Sequence, residues 1–318
     1  MEIVQRTWDE LDILEMAELT ASVYKMEGRG DYTIEQIERY LRNLNEKFPF
    51  EIAMLAVESG RTVGWIGLER KTENIGEIGR WHPYVGEFSN REGVALQLIE
   101  EVMKYATVHG MKRLEIGFSE ISDSNMKAYE NRYSWFGSLG WNLVEDTYFM
   151  TVDSLQDIPD LAIPEEFQLR PLLEIDDDEL YKCHHAAFTT SKAREFYDLT
   201  DEEKKQHFDK LYNRSQEINS DASYVFMHGE NLASILLVVS RHDEEHITVV
   251  AVHPDFRGRG LAKALLSLSI KELRRQGSQN LSIGVDVVNT PAINLYKKYG
   301  FQVTSRLSFH SWKANPSY

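Results

Sequence analysis

His246-Ile-Thr-Val-Val-Ala-Val-His-Pro-Asp-Phe-Arg-Gly-Arg-Gly-Leu-Ala262 is the stretch on which the reading of this chain turns. A β-branched apolar run leads through Pro254 into two glycines and on to Leu261, Ala262, Ala264, Leu265, Leu266 and Leu268, which predicts strand, tight turn, helix. Small residues stand where the backbone must bend, and Arg257 and Arg259 lie beside the start of the helix. Free N–H groups at such a terminus, together with the positive end of the helix dipole, suit a phosphate or diphosphate. Glycine lets that ligand approach the amides closely.

Dinucleotide folds and P-loops use the same three parts, and both are tested by spacing. The dinucleotide pattern G-x-G-x-x-G would need glycine where Lys263 stands, and no G-x-x-x-x-G-K-[ST] run occurs. R-x-x-G-x-A is present, filled by Arg257, Gly260 and Ala262. With the preceding strand and His253-Pro254, this resembles the acyl-CoA signature of the GCN5-related N-acetyltransferase (GNAT) superfamily. A second stretch carries the same resemblance: Asn289, Ala292, Leu295, Tyr296, Gly300 and Phe301 keep the spacing of that superfamily's later motif.

Composition narrows the partners. The 318 residues carry 35 Lys and Arg against 51 Asp and Glu, a net charge of −16, which argues against nucleic acid. The balance is compatible with an amine-bearing substrate. A single cysteine, Cys183, leaves no internal disulfide framework and predicts a reducing, cytoplasmic setting. The N-terminal residues lack the basic and apolar regions of a signal peptide, and no apolar run approaches the roughly 20 residues of a membrane span. Cys183-His184-His185 is not read as a metal site, because neighbours on a helix diverge by about 100°.

Taken in order, the sequence predicts a strand at 2–5, helices at 9–26 and 33–47, a hairpin of 51–58 and 62–70, a strand at 75–81, a helix from Gly93 to Gly110, and a strand at 114–117. The second half predicts helices near 176–188 and 200–214, a hairpin over 222–240, strand 246–252, helix 260–276, strand 280–287, helix 291–299 and strands from 301 onward. Glycine punctuation repeats between the halves: 110 − 93 = 17 and 277 − 260 = 17, and the next step, to Gly117 and Gly284, is 7 in each. The period implies an internal duplication. The expected organisation is 1–154, a linker at 155–166 holding Pro159 and Pro164, and 167–318. The expected fold class is α/β (α+β): two tandem GNAT-like domains, each a mixed, mostly antiparallel sheet flanked by helices, similar to the duplicated architecture of mycothiol synthase.

The resemblance implies roles for particular residues. Acetyl-CoA is the implied cosubstrate, with no metal. Main-chain groups of Arg257, Gly258, Arg259, Gly260, Leu261 and Ala262 would take the diphosphate, and Asn289 is grouped with them. Val250, Ala251 and Val252 would pair with the pantetheine arm where strands 246–252 and 280–287 splay, with an N–H such as that of Val250 facing the oxyanion. Tyr296 is the candidate acid for the departing thiolate. The base is harder to place: counting back from Val252 by alternation puts Thr248 and His246 on one face, and His246 is the candidate, with Glu244, Glu245 and Asp286 as water-linked alternatives.

In the first half, alignment on Gly93 puts Asn90 where Arg257 sits, and alignment on Gly140 puts Phe136 where Tyr296 sits. That half is read as a degenerate copy, with a CoA site there kept as an alternative because Gly93 and Ala95 remain. The implied activity is N-acetyl transfer from acetyl-CoA to a primary amine, on a small molecule or a peptide. The alternatives are a non-catalytic acyl-CoA sensor or assembly module and a peptide or protein N-acetyltransferase. Acceptor, acyl length and oligomeric state stay open.

Overall fold

Two units of one strand topology are built from this chain, and in each the last strand of the order comes from the opposite half of the sequence. The computed structural model describes residues 1–47, 49–87, 90–155, 163, 165–191, 199–241 and 244–314. The expected linker, 155–166, lies largely outside the described residues. The chain divides into two compact units, one of residues 1–145 with 306–318, the other of residues 146–305.

The first unit holds β1 (Glu2–Arg6), α1 (Ile13–Met26), α2 (Ile34–Lys47), β2 (Phe50–Glu58), β3 (Arg61–Thr72), β4 (Ile75–Ile78), β5 (Tyr84–Val85), α3 (Arg91–Val108), β6 (Arg113–Phe118) and α4 (Met126–Ser138). β7 (Asn142–Val152) begins there, and its residues from 146 onward belong to the second unit. The second unit adds β8 (Gln168–Pro171), α5 (Asp177–Thr189), α6 (Asp201–Leu211), β9 (Tyr224–His228), β10 (Asn231–Arg241), β11 (Glu244–Val252), α7 (Leu261–Arg275), β12 (Leu281–Asp286), α8 (Thr290–Lys298) and the start of β13 (Gln302–Lys313).

Helix 9–26 begins later than its apolar pattern predicts. Residues 8–10 form a 3-10 turn, and Asp12 caps α1 by accepting from the N–H groups of Leu14 and Glu15 at 3.1 Å each. The strand expected at 75–81 stops at Ile78.

Strand order in the first unit is β1-β2-β3-β4-β6-β13, antiparallel throughout except for the parallel pair β4/β6. In the second it is β8-β9-β10-β11-β12-β7, with β11/β12 the parallel pair. The last strand of each differs from the expected division at 154 and 167. β7 pairs with β12 through 147–152, and β13 pairs with β6 through 308–313.

Two glycines of the repeat take part in this pairing. Phe309 lies opposite Gly117, where a Cβ would fall 2.7 Å from the Phe309 ring, and Phe149 lies opposite Gly284. Each Phe follows its half's later glycine by the same step, 149 − 140 = 9 and 309 − 300 = 9. The two halves carry the same strand chemistry at these positions. Local pattern therefore cannot say which closing strand a unit takes.

The second unit's sheet is covered on both faces. Against one face lie α7 and α8, packing Leu261, Leu265, Leu266 and Tyr296 with Ile247 and Ile283. On the other, α5 and α6 bring Leu180, Cys183, Phe208 and Tyr212 against Val239, Val249 and Ala251.

Candidate active site

β11 is the organising strand of the second unit, and its registers locate a break. Against β10 it pairs Leu237 with Val249 but Val238 with Ile247, so Thr248 is the extra residue of a β-bulge. Ile247 and Val250 accordingly pack on the same side, with the α7 core, although they are an odd number of residues apart. The expectation that His246 and Thr248 share the face of Val252 is therefore corrected. His246 stands opposite Val239, which belongs to the α5/α6 face, because the bulge reverses the alternation upstream of it. The Thr248 hydroxyl is buried at the bulge without a hydrogen-bond partner among the described residues.

The parallel ladder to β12 ends at the same place. It pairs Glu245 with Leu281, His246 with Ser282 and Ile247 with Ile283, and goes no further. β12 continues along β7, while residues 248–252 continue along β10. On its β12 side, the main chain of Val250, Ala251 and Val252 thus has no strand partner among the described residues.

The turn that follows points its amides outward. Gly258 and Gly260 sit at φ +78° and +79°, left-handed conformations that glycine adopts without strain, and a Cβ on either would meet nothing within 4 Å. Gly260 is the N-cap of α7 and supplies no side-chain cap. The first paired amide beyond the turn is Ala264 N–H, donating to Gly260 O at 3.0 Å. Among the described residues, the N–H groups of Gly258, Arg259, Gly260, Leu261, Ala262 and Lys263 find no acceptor. Successive free amides at the positive end of a fifteen-residue helix form an anion nest open to its surroundings.

The two arginines of the turn do different work. Arg257 is spent on structure: its amide donates to Pro254 O at 3.2 Å, and its guanidinium donates to Ala187 O at 2.7 Å and Thr190 Oγ1 at 3.0 Å, at the C-terminal end of α5. It anchors the turn to α5. Arg259 is half exposed, 5.5 Å from the Phe256 ring and 5.9 Å from the Phe167 ring, with Glu166 3.9 Å away. Its charge stays beside the nest.

Tyr296 lies on α8, 5% exposed, with its ring 6.0 Å from Phe301. Its hydroxyl makes no hydrogen bond among the described residues, and burial pushes its pKa above the ordinary phenol value. Asn289, grouped above with the cofactor contacts, caps α8: its side chain accepts from Ala292 N–H at 3.3 Å. Pro291 stands in the first turn of that helix, where its missing N–H has no consequence.

His246, 7% exposed, has Nδ1 2.9 Å from Ser282 Oγ, and Ser282 Oγ donates to Glu244 Oε1 at 3.1 Å. Burial, with a smaller contribution from Arg241, holds the imidazole pKa down at about 4. At neutral pH it is therefore uncharged, and with Nδ1–H donating to Ser282, Nε2 carries the free lone pair. Sequence reasoning missed Ser282, since one serine inside Leu281-Ser-Ile-Gly284 gives no signal until the parallel register sets it beside His246.

Cys183 and His184 are buried in the α5/α6 core, the thiol pushed up to about 12 and the imidazole down to about 3, in both cases chiefly by desolvation. No cluster of metal-ligating side chains occurs among the described residues.

The family model described as the acetyltransferase (GNAT) family matches residues 178–301. Mycothiol acetyltransferase of Pseudarthrobacter chlorophenolicus is 25% identical over 221 residues, 66% of this chain and 62% of the relative. The L-amino acid N-acyltransferase of Escherichia coli is 39% identical over 67 residues, 21% of this chain and 38% of the relative. The chain thus spans less than two thirds of the length of either. The crystal structure of a GCN5-related N-acetyltransferase from Sphaerobacter thermophilus matches at a TM-score of 0.58 and 18% identity, covering 99% of this chain and 97% of that one. At that identity the likeness speaks to the fold.

Proposed function

Through residues 178–301 the chain belongs to the GNAT superfamily, and we propose from that premise that its second unit transfers an acetyl group from acetyl-CoA to a primary amine. The observation that carries the proposal is the run of acceptorless amides over Gly258–Lys263, beside a strand whose ladder has just ended. The nest would hold the diphosphate. The unpaired main chain of Val250, Ala251 and Val252 would bind the pantetheine arm as an added strand, which aims the thioester at the bulge. A main-chain N–H there, such as that of Val250, would stabilise the oxyanion of the tetrahedral intermediate.

In this reading the amine attacks the thioester carbonyl directly, and its proton must leave. His246 offers Nε2 for it, with Ser282, itself bonded to Glu244, orienting the ring. Four residues of strand separate His246 from Val250, about 13 Å, so the proton travels through water. Tyr296 serves the departing sulfur. Its raised pKa lies above that of a thiol, near 8.5, so it stabilises the thiolate by hydrogen bonding more than by full transfer.

Calorimetric titration of acetyl-CoA into the full chain, with thiol release measured over a panel of amines, tests the proposal. L-amino acids, the acceptors in one relative's name, open the panel. Saturable binding and thiol release with at least one amine are expected. Tyr296→Phe should lower kcat by about 10- to 100-fold with acetyl-CoA affinity retained. Binding without release from any amine would favour the acyl-CoA sensor, and absence of binding would overturn the whole reading.

A further inference from the structure

The first unit has its own cavity, of about 400 Å³, within the range that holds small ligands. α1, α2, the residues after β4 and those after β6 wall it. Arg29 is its centre: the guanidinium carbon stands 3.8 Å from the Tyr24 ring centroid and 4.4 Å from that of Trp81, so the cation is stacked between two aromatic faces. Its Nη1 is buried and donates to nothing among the described residues. A buried guanidinium nitrogen without an acceptor is costly unless something else supplies one.

Two further features mark the same wall. Trp81 and Glu120 both line the cavity and both adopt positive φ, +62° and +57°, which bulky or charged L-residues rarely do. Each is held there. Arg132 Nε donates to Trp81 O at 2.6 Å, the Trp81 indole donates to Ser119 O at 2.9 Å, and Asn125 Nδ2 donates to Glu120 O at 3.0 Å. Strain of this kind collects where a surface is shaped for a ligand. At the mouth stand Tyr32 and Tyr40, 48% and 43% exposed, aromatic faces that a fold alone would tend to cover, with Arg80 beside them.

We propose that this cavity binds a small carboxylic acid with a flat apolar body. The Tyr24 and Tyr84 hydroxyls take up part of the guanidinium's hydrogen bonding, which leaves the buried Nη1 for a carboxylate oxygen of a ligand. Tyr24, Tyr32, Tyr40 and Trp81 supply the faces for the body. Among the lining residues Arg29 and Arg80 stand against Glu120, with Glu27 also acting on Arg29, so the wall offers no excess of negative charge to a cation. This site is separate from the acyl-transfer reading of the second unit and does not depend on it.

Phenylacetate and indole-3-acetate are the probes, titrated into the full chain by calorimetry with phenylacetamide as the neutral control. Both acids should bind saturably and phenylacetamide should not. Arg29→Gln should weaken binding on the order of 10-fold or more. Tyr32→Ala, at the exposed mouth, should weaken it several-fold with Tm retained, which keeps the test decisive if the Arg29 variant fails to fold. Acetyl-CoA titration of the same variants reads the second unit on its own, so failure here is distinguishable from failure there. Silence with both acids, equal binding of phenylacetamide, or wild-type affinity in both variants would overturn the assignment.

Discussion

The turns before α3 and α7 occupy the same place in two copies of one fold, yet their amides meet opposite fates. Before α7 the sequence is Gly258-Arg259-Gly260, with left-handed glycines, no side-chain cap and a cation alongside. The residues that align with these, Arg91-Glu92-Gly93, already form the first turn of α3. Asn90 caps the helix, its side chain accepting from Gly93 N–H at 3.3 Å, and Glu92 places a negative charge in the first turn. Arg91 turns inward, donating to Val85 O and to the buried carboxylate of Glu27. Asn90 thus takes two of the terminus's amides, Gly93 N–H on its side chain and Val94 N–H on its carbonyl, which leaves fewer donors for a diphosphate.

The neighbouring strands differ in the same sense. β11 runs on for five residues past its ladder with β12, whereas β4 ends at Ile78, the last residue of its ladder with β6. Beyond it Gly79 N–H returns to Gly67 O, His82 Nδ1 accepts from Gly67 N–H, and Trp81 lines the cavity. The first unit has exchanged a main-chain edge for an aromatic wall.

The comparison breaks most sharply at the glycines. Gly260→Val forces a β-branched residue into φ +79° and should weaken acetyl-CoA binding at least 100-fold, about 3 kcal/mol. Gly93→Ala should leave that affinity unchanged. The reverse pattern in calorimetric titration would place the nucleotide site in the first unit.

Buried histidines sharpen it next. His246 in the second unit and His310 in the first are both held at about 4 by burial, against 6.5 when exposed. The unfolded chain therefore binds more protons between those values, so stability present above pH 6.5 is lost as pH falls toward 4. For each histidine the loss from pH 7 to pH 5 is roughly 2 kcal/mol. Urea unfolding of His246→Gln and of His310→Gln should show that much less acid sensitivity in either case, while only His246→Gln should impair thiol release. Impairment by both, or by His310→Gln alone, would remove His246 from its role.

The smallest effect belongs to the cap. Asn90→Ala should cost about 1 kcal/mol in thermal unfolding and create no new acetyl-CoA site, because Glu92 and the inward Arg91 remain. A second binding event in that variant would mean that the cap alone silenced the first turn.

Much of this was legible in the chain itself. The Gly258–Ala262 turn, the matched glycine intervals and the loss of the tyrosine at Phe136 follow from residue chemistry acting over a few positions. Turn conformation, capping and period are local properties, so the sequence determined them directly. Tertiary structure alone decided that the closing strands change places, that a bulge at Thr248 turns His246 to the α5/α6 face, that Arg257 braces α5 in place of the nest, and that Arg29 stacks between Tyr24 and Trp81. Each of those depends on which distant segment supplies the partner, and pairing between segments far apart in sequence is a competition among alternatives that no single window of residues contains.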